Sequence, residues 1–261
     1  MIFRHMSGAG NTFLVANGAN STDLLTPHNV RSIIAEHPRA DGKSIEGVLV
    51  LSALGPTSFA VDYYNPDGTH GMMCGNGARC AVRFAVDNGV DPNGTISFTL
   101  NNAPYQAVYN QTGSIQIFFP PPLHEHVYLP GELDTVDVPI PYVDVNSDHV
   151  VIEGPLDANR PIVGILRHHK MFPRGANVNM VEQNVDGSFT IATFERGVEA
   201  ITGACGTGAL SAALVLWRQG RASHQVTLVP PSGRKLGVTI HHNESTVTGL
   251  TLEGDAQYDD V

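Results

Sequence analysis

Cationic side chains are scarce in this sequence. Three lysines and twelve arginines stand against 25 acidic residues, a net charge of −10 at neutral pH. Nucleic-acid binding relies on clustered Lys and Arg that displace counterions from phosphates. No basic run of useful length occurs, so no nucleic-acid partner is expected. Long apolar runs are missing as well. None reaches the roughly 18 to 20 residues of a membrane-spanning helix, and the opening "MIFRHMSGAG" lacks the apolar core of a secretory signal. The chain is therefore expected to be soluble and cytoplasmic, without a membrane partner.

Cysteine is rarer still: Cys74, Cys80 and Cys205 are all there is. Three thiols make no disulfide framework, and a reducing compartment keeps them free. Five residues separate Cys74 from Cys80, and no CxxC pair or His spacing follows, so no metal site is expected. Neither a P-loop lysine nor a GxGxxG fingerprint is present, which disfavours a phosphate loop.

What the chain does have is an ordinary globular balance, 42% hydrophobic and 15% charged residues, too apolar for disorder. Its 261 residues suffice for one large domain or two small ones. Short runs bounded by turn residues read as strands. In the first half these are 12–16, 47–51, 59–64, 95–100 and 114–119. In the second they are 149–152, 177–181, 189–194, 226–229 and 246–254. An amphipathic helix is predicted over 26–37, capped by Thr26, and a shorter one over 160–168.

Two further helices, about 77–86 and 208–218, are apolar on nearly every face and so are predicted to be buried on all sides. Each is introduced by a cysteine followed by Gly-x-Gly, in "GMMCGNGARCAVRF" (71–84) and "TGACGTGALSAALVLW" (202–217). The proline-rich "FPPPLHEH" (119–126) reads as a linker between two halves of one plan. The expected fold is α+β: two pseudo-symmetric domains, each a curved, mostly antiparallel sheet wrapped around a central buried helix. The first covers 1–119 and is completed by a C-terminal strand at about 254–261; the second covers 120–253.

A helix start leaves backbone N–H groups unpaired and carries a partial charge of roughly +0.5. A thiol placed there ionises more readily, and the same N–H groups hold an anion that glycines allow to come close. Two such corners facing one bound molecule suit the inversion of a carbon with a weakly acidic hydrogen. One thiolate removes the proton and the other thiol supplies one from the opposite face, while helix-start N–H groups hold the carboxylate that takes up the charge. No cofactor is required by this chemistry. Cys80, one turn into the first helix on an apolar face, reads as packing.

These features resemble the diaminopimelate epimerase family over nearly the whole chain. The resemblance is carried by "GAGNTF" (8–13), "YYNPDGTHGMMCGNGARCAVRF" (63–84), "FPRGANVNMVE" (172–182) and "FERGVEAITGACGTGA" (194–209), in that order. It implies a small amino-acid substrate, an epimerase that interconverts LL- and meso-2,6-diaminoheptanedioate, no cofactor, and a homodimer. It also implies that Cys74 and Cys205 are the catalytic acid and base. Gly75, Asn76, Gly206 and Thr207 would then hold the carboxylate at the reacting carbon. Asn11, Asn65, Asn179, Glu195 and Arg196 would contact the substrate, with Arg196 pairing a distal carboxylate. His149 and Glu195 are expected to support the thiols.

The chain departs from the family pattern where a Gly-Asn-Pro-His segment is usual. Here "NSDHVVI" (146–152) keeps His149 but has Ser147 and Asp148 in place of Asn and Pro. "DGKSIEG" (41–47) and Ile201 also differ from the residues common in the family. These changes motivate a rival, a two-thiol racemase acting on another amino acid of the histidine or proline type. A rival of a different class is a non-catalytic ligand-binding or thiol-redox protein.

Overall fold

A computed structural model of the chain describes residues 1–18, 26–71 and 73–259. Met72, inside one of the quoted motifs, and 260–261, at the end of the expected last strand, lie outside them. The chain divides into two compact units, Met1–Phe118 with Glu253–Val261, and Phe119–Leu252.

In the first unit the order is β1 (Arg4–Gly8), β2 (Asn11–Asn17), α1 (Pro27–Glu36), β3 (Val48–Gly55), β4 (Ser58–Tyr64), α2 (Gly75–Asp87), β5 (Thr95–Leu100), β6 (Ala103–Tyr109) and β7 (Ile115–Phe119). The second unit holds β8 (His124–Tyr128), β9 (Ile140–Asp144), β10 (Asp148–Glu153), α3 (Pro161–Arg167), β11 (Asn177–Gln183), β12 (Phe189–Glu195) and β13 (Ala200–Ile201). After these come α4 (Gly206–Arg218), β14 (Gln225–Val229), β15 (Leu236–Asn243) and β16 (Thr246–Gly254), whose last two residues already belong to the first unit. The last strand, β17 (Gln257–Tyr258), returns to the first unit and pairs with β1.

Five successive pairings have the same sense in each unit. From β1 to β6, in sequence order, they run antiparallel, parallel, antiparallel, parallel, antiparallel. The series from β9 through β10, β11, β12 and β14 to β15 repeats that pattern. Parallel neighbours need a crossover, and each parallel pair has a helix in that place. α1 links β2 to β3 and α2 links β4 to β5; α3 links β10 to β11 and α4 links β12 to β14. The cysteine-led helices are thus the second crossover of each unit, and the fold class is α+β.

Each sheet curls around its second helix. α2 packs on β1, β2, β3 and β6, and α4 on β9, β10, β11, β14 and β15. Small residues let the strands approach α4, where Gly206 and all of Gly208–Leu216 are buried. α2 departs from the expected all-apolar helix at Arg79, which is fully buried. That cation is tolerable inside because it is hydrogen-bonded. Its Nη2 donates to Asn76 Oδ1 (2.6 Å) and its Nε to the Asp255 carbonyl (3.1 Å).

α1 begins as predicted: the Thr26 side chain accepts from Asn29 N, and Pro27 fills the first helical position. The linker reading of 119–126 is corrected. Phe119 closes β7, and His124 opens β8, which pairs residue by residue with β9. The three prolines are followed, after Leu123, by a mostly exposed strand that has no apolar alternation to announce it. Among the described residues no helix is long and apolar enough to cross a membrane.

β1 runs so close to α2 that a Cβ at Gly8 would lie 2.4 Å from the Asn76 carbonyl oxygen. Backbone cannot yield as a flexible side chain does. Gly8→Ala is therefore expected to cost about 1–3 kcal/mol of overpacking strain, measured as a lower thermal unfolding midpoint. An unchanged midpoint would contradict this packing.

Candidate active site

Cys74 and Cys205 occupy the same local structure. Each is the N-cap of its helix, with φ and ψ of −115° and 109° at Cys74 and −116° and 113° at Cys205. The helices begin at Gly75 and Gly206, two residues ahead of the predicted starts, so each cysteine directly adjoins its helix. The first helical bonds are Ala78 N to Cys74 O (2.8 Å) and Ala209 N to Cys205 O (3.0 Å). Both cysteines are partly exposed, whereas Cys80 is buried as packing.

Around Cys205 the second unit assembles most of its expected site. Gly208 N donates to Sγ (3.4 Å), and Thr207 Oγ1 is 3.6 Å from it. Glu195, at the end of β12, hydrogen-bonds the thiol and accepts from the Thr202 hydroxyl. Burial lifts the Glu195 carboxyl above its ordinary range, and the bonds from Thr202 and Cys205 oppose that shift. A thiol flanked by an elevated carboxyl and two donors has both a destination for its proton and support for the resulting negative charge.

His149 stands one step behind. Its Nε2 is 3.0 Å from Thr207 Oγ1, and its Nδ1 is 3.2 Å from Asn179 Nδ2. Asn179 Nδ2 also reaches the Val150 carbonyl (2.9 Å), which can only accept, so this atom is the amide nitrogen. It follows that His149 Nδ1 accepts and that the ring proton sits on Nε2. Thr207 Oγ1 accepts that proton, which turns its own hydroxyl hydrogen toward Cys205. Burial drives the His149 pKa down to about 3, so the ring is neutral at physiological pH. His149 thus stands behind Cys205 through Thr207, with its lone pair occupied by Asn179 rather than facing the thiol.

Asn179 was expected at the substrate, yet it is fully buried. Both amide hydrogens are donated, and Oδ1 accepts from Thr193 Oγ1 (2.9 Å). Gly208 packs against this group, for a Cβ there would meet Asn179 Oδ1 at 2.4 Å. Arg196 begins the turn after β12. Its backbone N donates to Asn177 Oδ1 (2.9 Å), and Nη1 donates to the carbonyls of Arg174 (3.0 Å) and Gly175 (3.2 Å).

In the first unit, Gly75 and Asn76 are buried directly behind Cys74, and Asn76 receives Arg79. Asn11 is buried at the start of β2, opposite Gly8. Asn65 follows β4 in a turn, donating through Nδ2 to Thr69 Oγ1 (3.0 Å). Sequence reasoning missed Thr193, Thr202 and Asn177. Strand alternation held the signal for Thr193, which pairs with Asn179 across β11 and β12. No three His, Cys, Asp or Glu side chains among the described residues form a possible metal ligand set. A cavity of about 900 Å³ at the other end of α2, lined by residues including His5, Asp87 and Asn88, contains neither corner.

Comparison with known proteins gives these corners relatives. The family model described as diaminopimelate epimerase matches residues 3–115 and 144–258. A diaminopimelate epimerase from Chlorobaculum tepidum is 34% identical over 258 residues, covering 97% of this chain and 96% of the relative. One from Aquifex aeolicus is 29% identical, covering 91% and 89%. Among solved structures, a phenazine biosynthesis protein of the PhzF family from Enterococcus faecalis superposes with a TM-score of 0.71 at 16% identity, covering 99% and 96%. A hydroxyproline epimerase from Agrobacterium vitis does so with a TM-score of 0.68 at 14% identity, covering 99% and 90%. At such identities the two structures show a shared fold.

Removing the Thr207 hydroxyl should leave Cys205 a poorer thiolate. Thr207→Val is expected to slow alkylation of Cys205 by iodoacetamide at pH 7 by about tenfold and to leave Cys74 unaffected, as followed by peptide mass spectrometry. Equal slowing at both cysteines would refute the local role.

Proposed function

The chain belongs to the diaminopimelate epimerase family, and from that premise we propose that it interconverts LL- and meso-2,6-diaminoheptanedioate by a two-base thiol mechanism. The product serves lysine and peptidoglycan-precursor synthesis. The reading carries with it a cytoplasmic location and a homodimeric state.

The carrying observation is the setting of Cys205, with a carboxyl acceptor beside it and two donors aimed at its sulfur. The thiol passes its proton to Glu195, and the thiolate, held by Gly208 N–H and the Thr207 hydroxyl, takes the α-hydrogen of one stereoisomer. Cys74, in the matching corner, gives its S–H proton to the opposite face of that carbon. The carbanion delocalises into the adjacent carboxylate, whose oxygens accept from helix-start N–H groups at Gly75, Asn76, Gly206 and Thr207. The opposite stereoisomer reverses the roles. After a turnover Cys205 is a thiol again, Glu195 holds the proton it accepted and Cys74 is a thiolate, so loss of the Glu195 proton to solvent and uptake of one by Cys74 reset the pair.

At the far end of the substrate, Arg196 pairs with the distal carboxylate through the nitrogens not tied to protein carbonyls. Asn11 and Asn65 supply polar contacts from the first unit. Asn179 acts indirectly, by fixing His149 and Thr207. The departures at 41–47 and 146–149 keep a second reading alive, a racemase of this type for another amino acid.

In D2O the wild-type protein is expected to place deuterium at the inverted α-carbon of diaminopimelate. Cys74→Ala and Cys205→Ala should each lower inversion by about 10²- to 10⁴-fold. Unchanged exchange in both variants would sink two-thiol catalysis. Turnover of a mono-carboxylate amino acid but not diaminopimelate would favour the second reading.

The pH profile separates Glu195 from His149. Glu195 must be ionised to accept the thiol proton, and burial raises its pKa, so activity should fall on the acid side above the usual carboxylate range of about 4. Glu195→Gln removes that limb from the kcat/KM profile. His149→Gln lowers the rate without moving the limb, because His149 is neutral throughout. A limb displaced by His149→Gln would overturn this assignment.

A further inference from the structure

We infer that Asp148 is an internal stand-in for the substrate's distal carboxylate and sets how strongly the protein favours a dicarboxylic amino acid. The inference deepens the reading of Arg196 given above and rests on it. Asp148 opens β10 and is buried, with a side chain only 8% exposed. Its Oδ1 accepts from the Tyr142 hydroxyl (2.6 Å) and from Arg174 Nη2 (3.1 Å). Its Oδ2 accepts from Arg174 Nε (2.8 Å) and lies 3.4 Å from Arg196 Nη1. One internal carboxylate is therefore shared by two guanidiniums.

Those guanidiniums are the more exposed partners, 54% for Arg174 and 23% for Arg196. Arg174 also pairs with Asp144 (2.9 Å). The cluster thus holds two cations and two anions, and its net charge is close to zero. An anionic ligand arriving at Arg196 meets a cation already partly neutralised, with Asp148 as a like charge nearby.

Arg196 does not need Asp148 to stay in place. The carbonyls of Arg174 and Gly175 and the amide oxygen of Asn177 hold it, all at shorter distances than Asp148. Its Nε and Nη2 have no protein partner among the described residues, which leaves a planar edge that fits a carboxylate bidentately. Removing the Asp148 charge should therefore strengthen the site rather than dismantle it. Asparagine keeps the shape and can still accept from the Tyr142 hydroxyl.

The test measures kcat and KM for LL-diaminopimelate in the wild type, Asp148→Asn and Arg174→Ala, with thermal midpoints as a check on folding. Asp148→Asn is expected to lower KM by about threefold or more with little change in kcat, an effect that shrinks at high salt. Arg174→Ala should raise KM by a similar factor, because Arg196 becomes the only guanidinium left to Asp148. A merely structural Asp148 predicts the opposite sign, a KM unchanged or raised in Asp148→Asn, and that result overturns the inference while leaving the epimerase reading intact. A wild type that does not turn over diaminopimelate defeats the substrate reading instead. Titration calorimetry with meso-diaminopimelate then decides: tighter binding by Asp148→Asn sustains the inference, and equal, weaker or no binding overturns it.

Discussion

A helix buried on all sides must begin somewhere inside the protein, and its first N–H groups then face neither water nor a preceding turn. Unpaired, each would cost free energy comparable to a lost hydrogen bond. In both units a cysteine stands at the N-cap in extended conformation with glycine directly after it, and in the second unit its sulfur accepts from Gly208 N. A serine or aspartate cap would satisfy the donors permanently. Sulfur bonds weakly at long range, as with Gly208 N at 3.4 Å, and so weak a cap leaves that donor open to a negative charge. Under the proposed function, the demand that the helix be buried and the demand that an anion be held fall on the same groups.

The corners share a backbone but not their surroundings. Cys205 is backed by a polar column running from Thr193 through Asn179 and His149 to Thr207, with Glu195 on its flank. Behind Asn76, two residues after Cys74 in the chain, stands a buried guanidinium rather than a carboxyl. The repeated order of strand pairing made the corner twice, and different side chains then filled the space behind each copy. Asn179 shows how tightly that space is filled, since its amide oxygen lies against Gly208 and a single added methyl there would strike it.

Much of this was legible from residue patterns, and the exceptions have physical causes. Strands such as 95–100 and 246–254 carried their own turn signals and were found with their exact limits. β1, "RHMSG", has no apolar alternation and is a strand because β2 and β17 pair with it from both sides, the latter about 250 residues away in sequence. β8 was obscured by the prolines before it. β15 was readable, with Leu236, Val238 and Ile240 buried in alternation, and was overlooked. Side-chain pattern identified the two cysteines, because Gly-x-Gly at a helix start has a local meaning. The direction of a hydrogen bond does not, and only the Val150 carbonyl beside Asn179 reveals that His149 is a donor toward Thr207.

The same limit explains Asp148. As a departure from "Gly-Asn-Pro-His" it looks like a loss, a proline's rigidity and an asparagine's contact both gone. In the fold, burial works to raise its pKa, but the Tyr142 hydroxyl and the Arg174 guanidinium prevail and hold the carboxyl below its ordinary range. It is therefore a charge throughout the neutral range, among groups that a substrate's own charge would seek. A change that leaves the reacting carbon's machinery untouched can still alter which molecule brings that carbon to it. On the proposed reading, the two thiols and their helix starts determine what reaction is possible, and the charge around Arg196 determines for whom.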